Sequence, residues 1–215
     1  MTFSTMLSTM SVGMLRTCGI FVLTLVGSLP LGMIVALLRK SRFSVIRGII
    51  RVYISVIRGT PLMLQLLVWY FGPYYLFGLS IRGWRFPALI VGFVLNYAAY
   101  FAEIYRSGIE SIPVGQYEAA TVLGYSKSQT FMRIILPQVI KRIMPTVTNE
   151  VITLVKDTSL AFTLAYQEVF SLSKQISASQ SSFMPFVIAG VFYYIFNFVV
   201  AFIMERCEKK LSYYR

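Results

Sequence analysis

Apolar and charged positions fall in long blocks along this chain. Runs without a charged residue cover 17–38, 59–81, 86–102 and 175–204. An α-helix rises about 1.5 Å per residue, and a hydrocarbon layer is about 30 Å thick. The first two runs are therefore long enough to cross it. The third becomes so when Glu103 and the following turn extend it to 107, and the fourth has length to spare, from which 183–204 is taken. A fifth segment, 137–159, contains Lys141, Arg142, Glu150, Lys156 and Asp157, and hydropathy alone would reject it. Its polar residues are ordered, however. Thr146, Asn149, Glu150, Thr153 and Asp157 recur at helical spacing and form one stripe, with Val147, Val151 and Leu154 elsewhere around the helix. A striped helix can span if the stripe faces other helices or a watery cavity. The pattern predicts an all-α membrane protein, a single domain over 1–215. Its five transmembrane helices fall at about 17–38, 59–81, 86–107, 137–159 and 183–204, with a polar loop at 108–136.

Composition supports this class. Apolar residues make up 57% of the 215 positions and charged residues 13%, with a mean hydropathy of +0.70. A soluble domain carries about 25% charged residues. Histidine is absent and there are two cysteines, so imidazole metal sites, histidine triads and disulfide frameworks are excluded. No metal site is expected. The net charge of +12 would suggest nucleic acid in a soluble protein; here the basic residues sit between apolar runs, and no nucleic acid is expected.

Charge placement orients the chain. Arg39, Lys40, Arg42, Arg47, Arg51 and Arg58 precede the second run. Arg106, Lys127, Arg133, Lys141 and Arg142 lie between the third and fourth spans, and Arg206, Lys209, Lys210 and Arg215 form the tail. Arg16, Arg82, Arg85, Lys156 and Lys174 are left outside or embedded. The positive-inside rule then places the N-terminus outside and the C-terminus in the cytoplasm. Residues 1–15 have no basic segment and no small-residue cleavage site follows, so the first run is expected to stay. Cys18 and Cys207 fall on opposite sides, which rules out a bond between them.

The polar loop is the most informative segment. Tyr117 to Leu123 suits a short helix, with Ala119 and Ala120 as strong helix formers. Gly124 stands where a glycine closes a helix, Ser126 and Gln129 match a capping box, and Pro137 suits the first turn of the next span. Glu118-Ala119-Ala120, three residues, Gly124, nine residues, Ile134, one residue and Leu136-Pro137 resemble the EAA signature of permease subunits of ATP-binding-cassette importers. Ala102 to Ile109, Pro113 to Gln116, Arg58-Gly59-Thr60-Pro61-Leu62 with Gln65, and Lys156 to Leu160 are similar to the polar amino acid branch of that family.

The resemblance implies a type I importer permease fold in the bacterial cell membrane, paired with itself or a close relative. It implies two cytoplasmic ATP-binding subunits and an extracellular or periplasmic solute-binding protein that delivers a polar amino acid. Glu118, Ala119, Ala120 and Gly124 would then belong to a coupling helix held in a groove of the ATPase. No Gly-Lys-Ser or Gly-Lys-Thr occurs in the chain, so ATP and Mg are expected on the partner ATPase and no cofactor on this chain. The chain is not expected to be an enzyme.

A polar solute needs hydrogen-bonding groups at mid-depth. Thr60 and Gln65 supply them on the second span. Asn96, Tyr100, Glu103 and Ser107 share one face of the third, and Asn149, Thr153 and Asp157 share one of the fourth. Asp157 is the leading candidate to meet a substrate ammonium, with Gln65, Thr158 and Ser159 around it and Tyr100 along the path. An ion pair of Asp157 with Lys156 or Arg58 is the alternative, and Lys156 could instead receive a substrate carboxylate. Glu103 is expected to pair with Arg106 or Arg58. The scarcity of acidic residues argues against a site dedicated to dicationic solutes. Pro30, Pro61 and Pro145 are expected to bend helices, and Gly27, Gly32, Gly92 and Gly190 to permit close packing. Two rival readings remain: a stand-alone secondary transporter or channel, which often carries inverted repeats that are not evident here, and a non-transporting scaffold.

Overall fold

The computed structural model describes residues 2–211; Arg215 of the basic tail lies outside them. All regular structure among the described residues is helical. The long helices are α1 (Phe3–Arg39), α4 (Arg85–Glu110), α7 (Leu136–Asp157) and α9 (Met184–Leu211). Shorter ones are α2 (Ser44–Gly59), α3 (Leu62–Phe77), α5 (Val114–Val122), the single turn α6 (Lys127–Gln129) and α8 (Val169–Gln180).

Helix α4 is the spine. Ala, Gly and aromatic residues alternate along it, and Phe93, Tyr97 and Phe101 are each no more than 1% exposed. Its neighbours fix a common ruler. Gly27 and Gly32 of α1 bring that helix against Val94 and Phe101, and Arg39 pairs with Glu103, so α1 and α4 run in parallel. Ile143 of α7 meets Gly108, and Asp157 meets Tyr97, so α7 runs back along α4. Helix α3 is antiparallel to α4 as well: Gln65 binds Asn96, and Leu66 packs on Gly92. By contrast Gly190 faces open space, so the close packing expected there is absent.

Gly108 makes the tightest of these approaches, because a Cβ there would run into the stiff, β-branched Ile143. Gly108→Ala is expected to cost about 1–3 kcal/mol through overpacking. Gly190→Ala, at an open helical position, is expected to be neutral or to gain up to about 1 kcal/mol. Thermal unfolding in detergent checks both.

Several elements depart from the sequence reading. The arginine-rich stretch ahead of the second run is not an extended connection: it forms α2 over Ser44–Gly59. The run at 59–81 read as one helix, yet α3 occupies only Leu62–Phe77, and α2 and α3 meet at a bend of 115°. The cause is Pro61: it lacks an N–H and drives Thr60 to an extended φ −124°, ψ 148°. Pro30 and Pro145 stay inside their helices. Pro137 falls in the first turn of α7, as expected, but the chain is already helical from Lys127, and a π-helical stretch, Thr130–Ile135, runs directly into that turn. The wider turn accommodates a ring that would collide with the carbonyl four residues back. Beyond Asp157 the chain tightens into a 3-10 segment, Thr158–Leu164, and turns at Ala165 into α8.

Length and hydropathy qualify α1, α4 and α9 to cross a membrane; the bent pair α2–α3 meets the same measure only when its two helices are taken together, as a broken span or a re-entrant loop. Helix α7 carries too many charges to qualify by that measure. Burial separates their roles: the apolar window of α4 is 61% buried and that of α9 only 11%, so α4 is core and α9 is peripheral.

Candidate functional site

Two regions hold the residues singled out by sequence. The first is the loop beyond the end of α4. Pro113 opens α5 and Gly124 closes it at φ +78°. The Gly124 N–H donates to the Thr121 carbonyl (3.0 Å) and the Tyr125 N–H to the Ala120 carbonyl (3.0 Å). This is the paired closure that a left-handed residue after a helix permits. Ser126 and Gln129 then cap each other's backbone N–H groups, as their spacing predicts.

Helix α5 is fastened to α7 rather than hanging free. Gln138 donates to Gln116 (2.7 Å), Arg142 donates to the carbonyl of Ser111, and Tyr117 packs on the main core. Glu118, Ala119 and Gly124 are exposed, whereas Ala120 is 1% exposed and faces the protein. Of the two alanines only Ala119 is therefore open to a partner surface. Sequence reading overlooked Val122 and Leu123, which are 87% and 73% exposed on this polar end. Apolar residues beside an Ala-Ala pair on a short helix were the available signal.

The second region lies halfway along α4. Breaking the helix at Thr60 orphans carbonyls that cannot be left bare in a membrane. Gln65 serves them. Its Nε2 donates to the carbonyl of Ile57 (2.7 Å) and reaches Thr60 O (3.0 Å) and Oγ1 (2.9 Å), while its Oε1 accepts from Asn96 (2.9 Å). Gln65 thus holds the break together. One residue further along α4, the Tyr97 hydroxyl donates to Asp157 (2.7 Å).

Neither Lys156 nor Arg58 pairs with Asp157 among the described residues; Tyr97 is its partner. Arg58 instead lies over the ring of Tyr100, 5.3 Å from its centroid. Thr158 is fully buried and donates to the Val155 carbonyl, and Ser159 donates to that of Lys156. Gln65 and Asp157 are therefore brought to adjacent residues of α4, while Thr158 and Ser159 are turned onto the end of α7. Tyr97 was missed because it falls off the stripe that carries Asn96 and Tyr100.

Towards the α5 end, α4 and α7 flank an open cavity of about 620 Å³ lined by Arg58, Glu103, Arg106, Ser107, Arg142 and Thr146, among others. Glu103 is bonded to both Arg39 and Arg106 at its wall, joining α1 to α4. From this cavity the polar stripe of α7 continues through Thr146, Asn149 and Thr153, all exposed on the chain's surface. A polar row leading from a cavity to a mid-depth carboxylate can pass a hydrated solute, provided something covers its open side.

Known proteins resemble this chain in sequence and fold. The chain is 38% identical over 201 residues to the arginine transport system permease protein ArtQ of Bacillus subtilis, covering 93% of this chain and 91% of that protein. It is 34% identical over 208 residues to the L-cystine transport system permease protein TcyB of Bacillus subtilis, covering 95% of this chain and 87% of the relative. A crystal structure of an amino acid ABC transporter with histidines superposes with a TM-score of 0.87 at 29% identity, covering 98% of this chain and 99% of the other. The MetNI methionine ABC transporter, at 17% identity and a TM-score of 0.74, shares the fold. Residues 28–213 match the family model, and the chain belongs to the binding-protein-dependent transport system inner membrane components, the permeases of ABC transporters.

Proposed function

We propose that this chain is the membrane-spanning subunit of an ATP-driven importer that takes up a polar amino acid delivered by an external solute-binding protein. Five spans are formed by α1, the α2–α3 pair, α4, α7 continued by the 3-10 segment Thr158–Leu164, and α9, with the N-terminus outside and the C-terminus in the cytoplasm of a bacterium. A second permease subunit, identical or closely related, covers the polar stripe of α7 and closes the pathway. Two cytoplasmic ATPase subunits bind ATP and Mg and dock on α5 through Glu118, Ala119 and Gly124, with Val122 and Leu123 buried in the contact and Ala120 seating the helix from within.

The observation that carries this reading is the construction of α5: a capped helix, exposed on one side and bonded on the other to the base of α7. Motion of its docked face is transmitted to the helix that bears Asp157. ATP binding draws the two α5 helices together and turns α7 and α4 about the mid-depth layer. Docking of the binding protein outside biases the opposite arrangement. Each ligand shifts the equilibrium only through its different affinity for the two states. Solute passes Asp157 and Tyr100 and leaves through the cavity between α4 and α7, while Gln65, Thr158 and Ser159 shape its walls.

The test is uptake into proteoliposomes holding the assembled transporter. Uptake of a polar amino acid is expected only with ATP on the ATPase side and binding protein on the other. Uptake that persists without nucleotide would overturn the reading in favour of a stand-alone transporter.

A further inference from the structure

We infer that the face at the α8 end is a docking surface for an acidic patch on the solute-binding protein, with Arg16, Arg82, Arg85 and Lys174 as its contacts. The inference rests on the proposed importer and its orientation. Gly27 of α1 lies level with the middle of α4, and Gly13 packs on Val169 and Leu172 of α8. That separation, about 21 Å along the helix, exceeds half the thickness of a hydrocarbon core of about 30 Å. Helix α8 and the turn before it therefore stand at or beyond the membrane surface.

The charges at this end share one sign. The chain has eight acidic residues, and Glu168 alone lies in this region. It is fully buried: its oxygens accept from the N–H groups of Phe170 (2.7 Å) and Ser171 (2.6 Å) and from the Tyr193 hydroxyl (3.0 Å). Among the described residues no carboxylate is left on the surface at this end, whereas Arg16, Arg82, Arg85 and Lys174 are all exposed. Outer loops ordinarily avoid cations, so four of them without a counter-charge call for an external one.

Two of the four are held in position. Arg16 of α1 donates to the carbonyl of Gln167 (2.9 Å), and Arg85 of α4 to that of Ala165 (3.3 Å). They approach the same turn from two helices and line one cavity of about 360 Å³, whose wall is the stacked pair Phe86 and Tyr166. A carbonyl fixes a guanidinium without cancelling its charge, and a fixed guanidinium loses less entropy when a carboxylate arrives. The Arg82 side chain makes no bond among the described residues, and Lys174 rests over the ring of Phe162. Such a surface steers an acidic partner and fixes its register.

The experiment follows ATP hydrolysis by the complete transporter in nanodiscs as binding protein is titrated in, at low and at high salt. The test variant is Arg82→Glu with Lys174→Glu, because neither side chain holds the backbone; thermal unfolding checks that it folds. The half-saturating concentration of binding protein is expected to rise about tenfold at low salt, with a flatter salt dependence than the parent's, as charges at an interface rim act mainly on association. A half-saturating concentration equal to the parent's would overturn the docking surface. So would a parent whose half-saturation changes when anionic lipid is exchanged for zwitterionic, since the cations would then be reading phosphate headgroups. If the parent itself is not stimulated by binding protein, the importer reading falls, and the docking surface with it.

Discussion

Replacing Glu118 with lysine is expected to abolish ATP-driven uptake while solute binding survives. Glu118 is exposed on α5, clear of the contacts that fasten the helix to α7 through Gln116, Tyr117 and Ala120. Its replacement therefore leaves the fold intact. A reversed charge at a docked surface costs several kcal/mol, and each step of about 1.4 kcal/mol weakens association tenfold. The complex is expected to lose its ATPase subunits at working concentration, with uptake down by about a hundredfold or more. Glu118→Gln is expected to keep most of the contact. Copurification of the ATPase, uptake, and thermal unfolding of the membrane subunit separate lost docking from lost folding. Normal uptake by Glu118→Lys would remove α5 from the coupling path.

The closure of α5 was legible because it depends on neighbours in sequence: Gly124 at its end and the Ser126–Gln129 box after it. The long apolar helices were legible for the same reason. Helix α2 was hidden because its apolar residues form two stripes. Ile46, Ile50, Ile54 and Ile57 face the protein and Val45, Ile49, Val52 and Val56 face out, with arginines set between them. Averaged hydropathy reads that mixture as a basic loop, although the helical period is present. Helix α8 was hidden by its serines and by a left-handed turn at Ser181 (φ 48°), which a non-glycine residue does not announce. The paired groups at mid-depth were beyond reach: Tyr97 finds Asp157 across 60 residues, and Gln65 finds Asn96 across 31. Only the packing of α3, α4 and α7 decides those partners.

Asp157→Asn separates a carboxylate that serves the solute from one that serves the fold. Tyr97 donates to Asp157 at 2.7 Å, and an asparagine oxygen can accept the same bond. The substitution is therefore expected to change thermal stability by less than about 1 kcal/mol, a neutral acceptor replacing a charged one. What it removes is the negative charge, halfway along α4, where an ammonium crossing the membrane most needs one. A hydrogen bond to a charged group contributes about 1.5–3 kcal/mol, so uptake and solute affinity are expected to fall by between about ten- and about a hundredfold. Tyr97→Phe does the converse. It keeps the charge and strips its donor, at a cost of about 1–3 kcal/mol in stability, while the freed oxygen stays available to solute. Uptake by the Asn variant at the parent's rate would mean that Asp157 exists for Tyr97 alone. A Phe variant that binds solute as the parent does, beside an Asn variant that does not, would place the charge in the pathway.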